Sequence, residues 1–145
     1  MNLQYLPATE QDIDTIFALS KALIHSYEDL SSIAYDSVMD WVSRKIRKNI
    51  SSYTCVYREG QKVGYYRLIP EGDCMELDDL YILPPFRGQG IGSAVVTRCI
   101  EQTRLPIMLY VFTRNTRAMA LYQRMGFRID RAVSPTRCIM IRENL

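Results

Sequence analysis

The stretch that most constrains this chain is residues 78–92, where Asp78-Asp79-Leu80-Tyr81-Ile82-Leu83 leads through Pro84-Pro85-Phe86 to Arg87-Gly88-Gln89-Gly90-Ile91-Gly92. An apolar strand, a proline stop and a glycine-rich turn come directly before an amphipathic helix. The first N–H groups of a helix have no partner inside it, and the aligned peptide dipoles put partial positive charge at the same end. Such a turn is a cradle for an anion, and a pyrophosphate suits it. Gly88, Gly90 and Gly92 allow positive φ and close approach to the amides of Gln89, Ile91 and Ser93, while Arg87 adds a planar cation at the mouth.

Several nucleotide-binding families use a glycine run, so the flanking residues decide. A Walker A loop requires Lys and then Ser or Thr after its last glycine, but Gly92 is followed by Ser93 and Ala94. A dinucleotide fingerprint counted from Gly88 reaches Ser93 where a glycine belongs, and no acidic residue stands suitably about 20 positions on. What remains is R-x-x-G-x-G, formed by Arg87, Gly90 and Gly92. With its preceding strand it resembles the acetyl-CoA-binding motif of the GNAT N-acetyltransferase superfamily. A second block, Asn115, Ala118, Leu121, Tyr122, Gly126 and Phe127, resembles that family's N-x-x-A-x-x-L-Y-x-x-x-G-F signature. Ala8-Thr9-Glu10-Gln11-Asp12 is similar to the family's usual opening, so the resemblance spans nearly the whole chain and is weakest between His25 and Asn49.

At 145 residues, 48% hydrophobic and 23% charged, the chain can bury one substantial core, and residues 1–145 read as a single domain. No apolar run reaches the length of a membrane span, and no secretory signal opens the chain, so a soluble, cytoplasmic protein is expected. A formal charge of +2 gives no long basic stripe for nucleic acid. Cys55, Cys74, Cys99 and Cys138 are too far apart for a C-x-x-C motif and read as small hydrophobes, and the single His25 has no partners at metal or triad spacing. No metal is expected.

The apolar spacing predicts strand 2–6, then a helix capped by Thr9 and carrying Ile13, Ile16, Phe17, Leu19 and Leu23 inward. Asp36 is placed to cap a second helix, with Val38, Met39, Trp41, Val42 and Ile46 inward and Arg44, Lys45, Arg47 and Lys48 as a solvated face. Strands 53–57, 63–69 and 74–83 form a meander, followed by helix 91–103, strand 107–112, helix 115–125 stopped by Gly126, and a hairpin of 128–131 with 137–141. The implied architecture is α/β (α+β mixed): a GNAT-like mixed sheet of about seven strands flanked by about four helices, with one parallel pair. Pro84 and Pro85 lack N–H donors, so the strand ending at Leu83 is expected to splay from the one beginning at Ile107.

The resemblance implies that the pantetheine arm of acetyl-CoA lies in this cleft against the backbone of Leu80, Tyr81 and Ile82. It implies that Tyr122 lies near the cofactor sulfur, where its phenol can act as general acid. Asp78 matches the base position of the similar polyamine acetyltransferases, with Glu76 on the same nominal face as the substitute and water as a further route. On a regular strand Asp78 and Asp79 would face opposite sides, leaving one for the active site. Asn115 is expected to orient cofactor or backbone, or simply to cap a helix. The segment 25–35 matches the part of these enzymes that shapes the acceptor site, and its acids and tyrosines suit a cationic amine. The reading is an acetyl-CoA-dependent N-acetyltransferase acting on a primary amine by direct attack. The alternatives are a non-catalytic acyl-CoA sensor and a protein or peptide N-acetyltransferase. Expected partners are acetyl-CoA and an amine-bearing acceptor, with room for a homodimer and no nucleic acid or membrane.

Overall fold

Strand-forming residues punctuated by Glu59-Gly60 and Gly72-Asp73 give the middle of the chain its meander, because both glycines adopt positive φ in the connecting turns. The computed structural model describes residues 1–144. In chain order the elements are β1 (Leu3–Pro7), α1 (Ile13–Tyr27), α2 (Tyr35–Lys48), β2 (Thr54–Arg58), β3 (Gln61–Glu71), β4 (Cys74–Ile82), α3 (Ile91–Glu101), β5 (Ile107–Phe112), α4 (Thr116–Arg124), β6 (Arg128–Ala132) and β7 (Arg137–Arg142). The strands form one sheet in the order β1-β2-β3-β4-β5-β7-β6. Its neighbours are antiparallel except for β4 and β5, which α3 joins as a parallel pair. This is the mixed seven-stranded sheet with four helices that the motifs implied.

The helices divide between the two faces. Ile91, Val95, Val96 and Cys99 of α3, with Tyr122 of α4, pack on Val56, Val63, Leu77 and Leu109. Ile13, Ile16 and Ile24 of α1 and Val42 and Ile46 of α2 cover Cys55, Tyr65 and Tyr81. Each fully buried aliphatic side chain stabilises the fold by roughly 1.5–3 kcal/mol relative to leaving it in water.

Two features of α2 depart from the reading of its sequence. The helix begins at Tyr35 with Ala34 at its N-cap, so Asp36 sits in the first turn, where its charge suits the helix dipole. Val38, Val42 and Ile46 form the inward stripe, and Trp41, expected inward, lies at its edge with 59% of its surface exposed. Lys45, expected outward, folds onto the sheet with only 18% of its side chain exposed. Its long apolar stem makes that placement feasible while its ammonium reaches carboxylates.

The splay between β4 and β5 also has a different origin. Their register contains only Met75 with Ile107 and Glu76 with Met108. Beyond that point Leu68 pairs with Leu77 and Arg67 with Asp79, which leaves Asp78 as the extra residue of a β-bulge. The strands part at the bulge, well before the prolines. Leu83 N–H still bonds Val63 O at 2.8 Å, so Pro84 and Pro85 end the pairing with β3 and begin a short 3₁₀ turn.

Candidate active site

The parted strands open two cavities. The first, of about 490 Å³, is bounded by Leu80, Tyr81 and Ile82 of β4, the glycine turn and α4. Gly88 and Gly90 have φ of 73° and 81°, values that side chains disfavour, and Gly90 is the N-cap of α3. A Cβ on Gly92 would lie 3.2 Å from Leu121 Cδ2, so this glycine lets α3 sit close to α4. Arg87 Nε donates to Ile82 O at 2.9 Å and ties the turn to the end of β4. Ser93 and Ile91 line the cavity, whereas Gln89 does not, its side chain bonding Pro85 O at 3.3 Å. Arg117 and Arg124 line it from α4. Among the described residues none of the three arginines has a carboxylate within 4.0 Å. Amides at a helix start, glycine access and unpaired guanidinium groups are the donors a pyrophosphate requires.

The second cavity, of about 450 Å³, lies between α1, α2 and β5. Its walls are mostly apolar, with Ile24, Ile33, Val38, Trp41 and Phe112 among them, and its charged groups are Glu28, Lys45, Asp78, Asp79 and Arg137. Leu23, Leu80, Tyr81, Asn115, Ala118 and Tyr122 line both cavities, so the two meet at these residues. Asn115 is held there as the N-cap of α4, its Oδ1 accepting from Ala118 N at 3.2 Å. Tyr122 is buried, its ring packing edge-on against Phe127 with centroids 5.6 Å apart. Its hydroxyl has no hydrogen-bond partner among the described residues, and it is not sealed from the cavities. Burial, with smaller contributions from Cys99 and Asp79, raises its pKa above the usual phenol value and keeps it protonated.

The bulge places its acids differently from a regular strand. Asp78 and Asp79 do not face opposite sides; both reach Lys45 Nζ, at 2.6 and 3.3 Å. Arg67 NH1 also meets Asp78 at 2.7 Å. Burial alone would raise Asp78, but Lys45 and Arg67 outweigh it and hold its pKa below the usual carboxylate value. Asp79 accepts from Tyr53 Oη at 2.5 Å and Tyr81 Oη at 3.0 Å, and burial pushes its pKa up. Glu76 is buried and lines neither cavity. Its pKa is raised to about 7 by burial, then by the negative charge of Asp78 and the hydrogen bond a protonated Glu76 makes to it.

A splayed parallel pair and a glycine-rich helix start are parts the motifs called for, and the structure adds a second cavity that meets the first at Tyr122. The family model for the acetyltransferase (GNAT) family matches residues 16–127. The chain is a member of the GNAT family. It is 26% identical over 117 residues to a peptidyl-lysine N-acetyltransferase of Salmonella typhimurium, YjaB, covering 80% of this chain and 77% of that protein. It is 33% identical over 94 residues to an uncharacterized N-acetyltransferase of Escherichia coli, YjgM, but covers 59% of this chain and 56% of that one. A crystal structure of PaiA N-acetyltransferase from Thermoplasma acidophilum with coenzyme A has the same fold, with a TM-score of 0.74, 16% identity and 99% of each chain covered.

This GNAT protein brings Leu80, Tyr81, Ile82, Arg87, Gly88, Gly90, Ile91, Gly92, Ser93, Asn115 and Tyr122 to the first cavity and Asp78 to the second, and leaves Gln89 and Glu76 outside both. Lys45, Arg67 and Asp79 were missed as parts of the charge network, and Arg117, Arg124 and Arg137 as cavity residues. For the α4 arginines a signal was present: Arg117 and Arg124 lie within the second motif, seven residues apart, a spacing that puts both on one helix face. His25 is exposed and outside the cavities, its Nε2 2.6 Å from Tyr35 Oη. Cys55, Cys99 and Cys138 are buried, whereas Cys74 is only half-buried. Among the described residues no helix is long and apolar enough to cross a membrane, and no three His, Cys, Asp or Glu side chains group as metal ligands.

Proposed function

We propose that the whole chain is one catalytic domain, with acetyl-CoA in the cavity of the glycine turn and a primary amine in the other, the acetyl group passing directly between them. The observation that carries this reading is the meeting of the two cavities at Tyr122 and Asn115. The amides of 88–93 with Arg87, Arg117 and Arg124 hold the phosphates, and the backbone of Leu80, Tyr81 and Ile82 holds the pantetheine arm. Acetyl-CoA supplies the thioester: the amine nitrogen forms a bond to its carbonyl carbon, the C–S bond breaks, and the products are an N-acetyl amide and CoA thiol.

Two proton movements fall to the protein. Tyr122, kept protonated by burial, donates to the departing sulfur. Asp78 faces the acceptor but is held ionised by its cations and is a weak base by itself. Glu76, behind it and poised at about 7, is the better proton store, and the pair acts as one unit in which Asp78 meets the ammonium or its water and Glu76 retains the proton. A reducing, cytoplasmic setting fits the free thiols.

The test is CoA thiol release from acetyl-CoA with a panel of free amines and lysine peptides. Turnover with free amines supports the reading. Turnover with peptides alone assigns the protein to the class that the Salmonella relative's name describes. CoA binding without turnover on either would make it a sensor.

A further inference from the structure

The cation of the acceptor cavity that the proton chemistry leaves unused is Arg137. Lys45 is occupied by Asp78 and Asp79, but Arg137 has no carboxylate within 4.0 Å and its guanidinium donates no hydrogen bond among the described residues. It is nevertheless held in place: β7 pairs Arg137 with Phe112 of β5, and the guanidinium carbon lies 4.9 Å from the Tyr110 ring centroid and 5.8 Å from that of Phe112. Cation–π contact with the two rings holds the guanidinium in place and leaves its N–H groups free for a carboxylate. Tyr110 is 41% exposed whereas Tyr122 is buried, so Arg137 stands on the solvent-facing rim of the cavity.

Glu28 lines the same cavity from the end of α1. Its Oε1 accepts from Thr136 Oγ1 at 2.6 Å and from Asp29 N at 2.9 Å, while Oε2 has no partner among the described residues. Thr136 precedes Arg137, so the hydrogen bond ties the free carboxylate oxygen to the strand that carries the free guanidinium. A cation and an anion, each held in place and without an ion-pair partner among the described residues, line one cavity and are linked through Thr136. Ile24, Ile33, Val38 and Phe112 supply apolar lining to the same cavity.

Resting on the two-cavity reading above, we infer that the acceptor is a free amino acid bearing its reacting amine at the end of an alkyl side chain, as lysine does. Arg137 takes the α-carboxylate, Glu28 takes the α-ammonium, and the side chain runs along the apolar wall to put its amine beside Tyr122. Embedding the residue in a peptide removes both head-group charges, so the same rim disfavours a peptidyl lysine. A volume of about 450 Å³ is of small-molecule size.

The experiment compares steady-state acetylation of lysine, cadaverine (lysine without its carboxylate), aminocaproate (lysine without its α-amine) and Nα-acetyl-lysine amide. Lysine should exceed cadaverine in kcat/KM by about 10-fold or more, mainly through KM, with aminocaproate between them and the blocked lysine poor. Arg137→Gln should lower lysine turnover by a larger factor than cadaverine turnover, and Arg137→Lys should restore part of the preference. CoA affinity, set by the other cavity, reports whether each variant is folded. Equal kcat/KM for lysine and cadaverine, a preference for the blocked lysine, or an equal loss on both amines in Arg137→Gln overturns this inference while leaving the two-cavity reading standing. CoA binding with no turnover on any amine overturns both.

Discussion

Replacing Lys45 by Met keeps most of its apolar stem and removes the ammonium that lies 2.6 Å from Asp78 and 3.3 Å from Asp79. Both carboxylates are largely shielded, with side-chain exposures of 15% and 13%, so the loss is not made up by water. Removing one partner of a buried pair typically costs about 3–5 kcal/mol. Asp78 would keep Arg67, and Asp79 would keep the hydroxyls of Tyr53 and Tyr81, which reduces the expected loss to roughly 2–4 kcal/mol. Arg44 is the internal control: its ion pair with Asp40 is equally short at 2.6 Å, but the side chains are 73% and 62% exposed. Arg44→Met should therefore cost about 0.5 kcal/mol or less. Urea unfolding of both variants at neutral pH makes the comparison. The sign with pH follows from Asp78, whose folded pKa is depressed: its contribution is full above the unfolded value of about 3.9 and is lost as pH falls through the folded one. The gap between wild type and Lys45→Met should thus narrow in acid. If the two variants differ by less than about 0.5 kcal/mol, the buried network contributes nothing and Lys45 is effectively a surface residue.

Tyr122→Phe should retain CoA affinity and lose about 10²-fold in single-turnover transfer; a wild-type chemical rate would make Tyr122 a packing residue. Gly90→Val, at φ 81° and at the cap of α3, should raise the CoA Kd by about 10-fold or more in calorimetry while circular dichroism stays native, and unchanged affinity would remove the turn from the site. Because Glu76 must lose its proton to act, kcat/KM should rise with pH through about 7, and Glu76→Gln should abolish that limb; a wild-type profile in the variant would exclude Glu76. The raised folded pKa of Glu76 stabilises the fold below about 4.3 and that contribution is lost as pH rises through about 7, so Glu76→Gln should gain roughly 1–3 kcal/mol on wild type between pH 5 and 8 in thermal melts.

The glycine turn and the helix of Tyr122 were legible as structure because each is written in contiguous residues: Arg87, Gly90 and Gly92 in one block, Asn115 and Tyr122 in another. The bulge at Asp78 was not, since an extra residue in one strand leaves no mark in a single chain; it shows only when Leu68 meets Leu77 and Arg67 meets Asp79. That one shift moved the splay from the prolines to Glu76 and put both aspartates in the second cavity. Lys45 was hidden among Arg44, Arg47 and Lys48, because a basic residue beside an apolar stripe can point either way until its partners are known. Trp41 exchanged places with it for the complementary reason: the edge of the stripe borders an open cavity rather than packed sheet. Arg137 and Glu28 are 109 positions apart and become neighbours only through Thr136.

If donor and acceptor occupy separate cavities that join at Tyr122, one compound should span both. A crystal structure with a bisubstrate compound, CoA joined through its sulfur to the side-chain nitrogen of lysine by an acetyl bridge, decides whether it does. The pyrophosphate should lie on the amides of residues 88–93, the sulfur within hydrogen-bond reach of the Tyr122 hydroxyl and the lysine between α1, α2 and β5. A pyrophosphate bound away from the glycine turn, or a lysine that does not enter the cavity of Asp78 and Arg137, contradicts it.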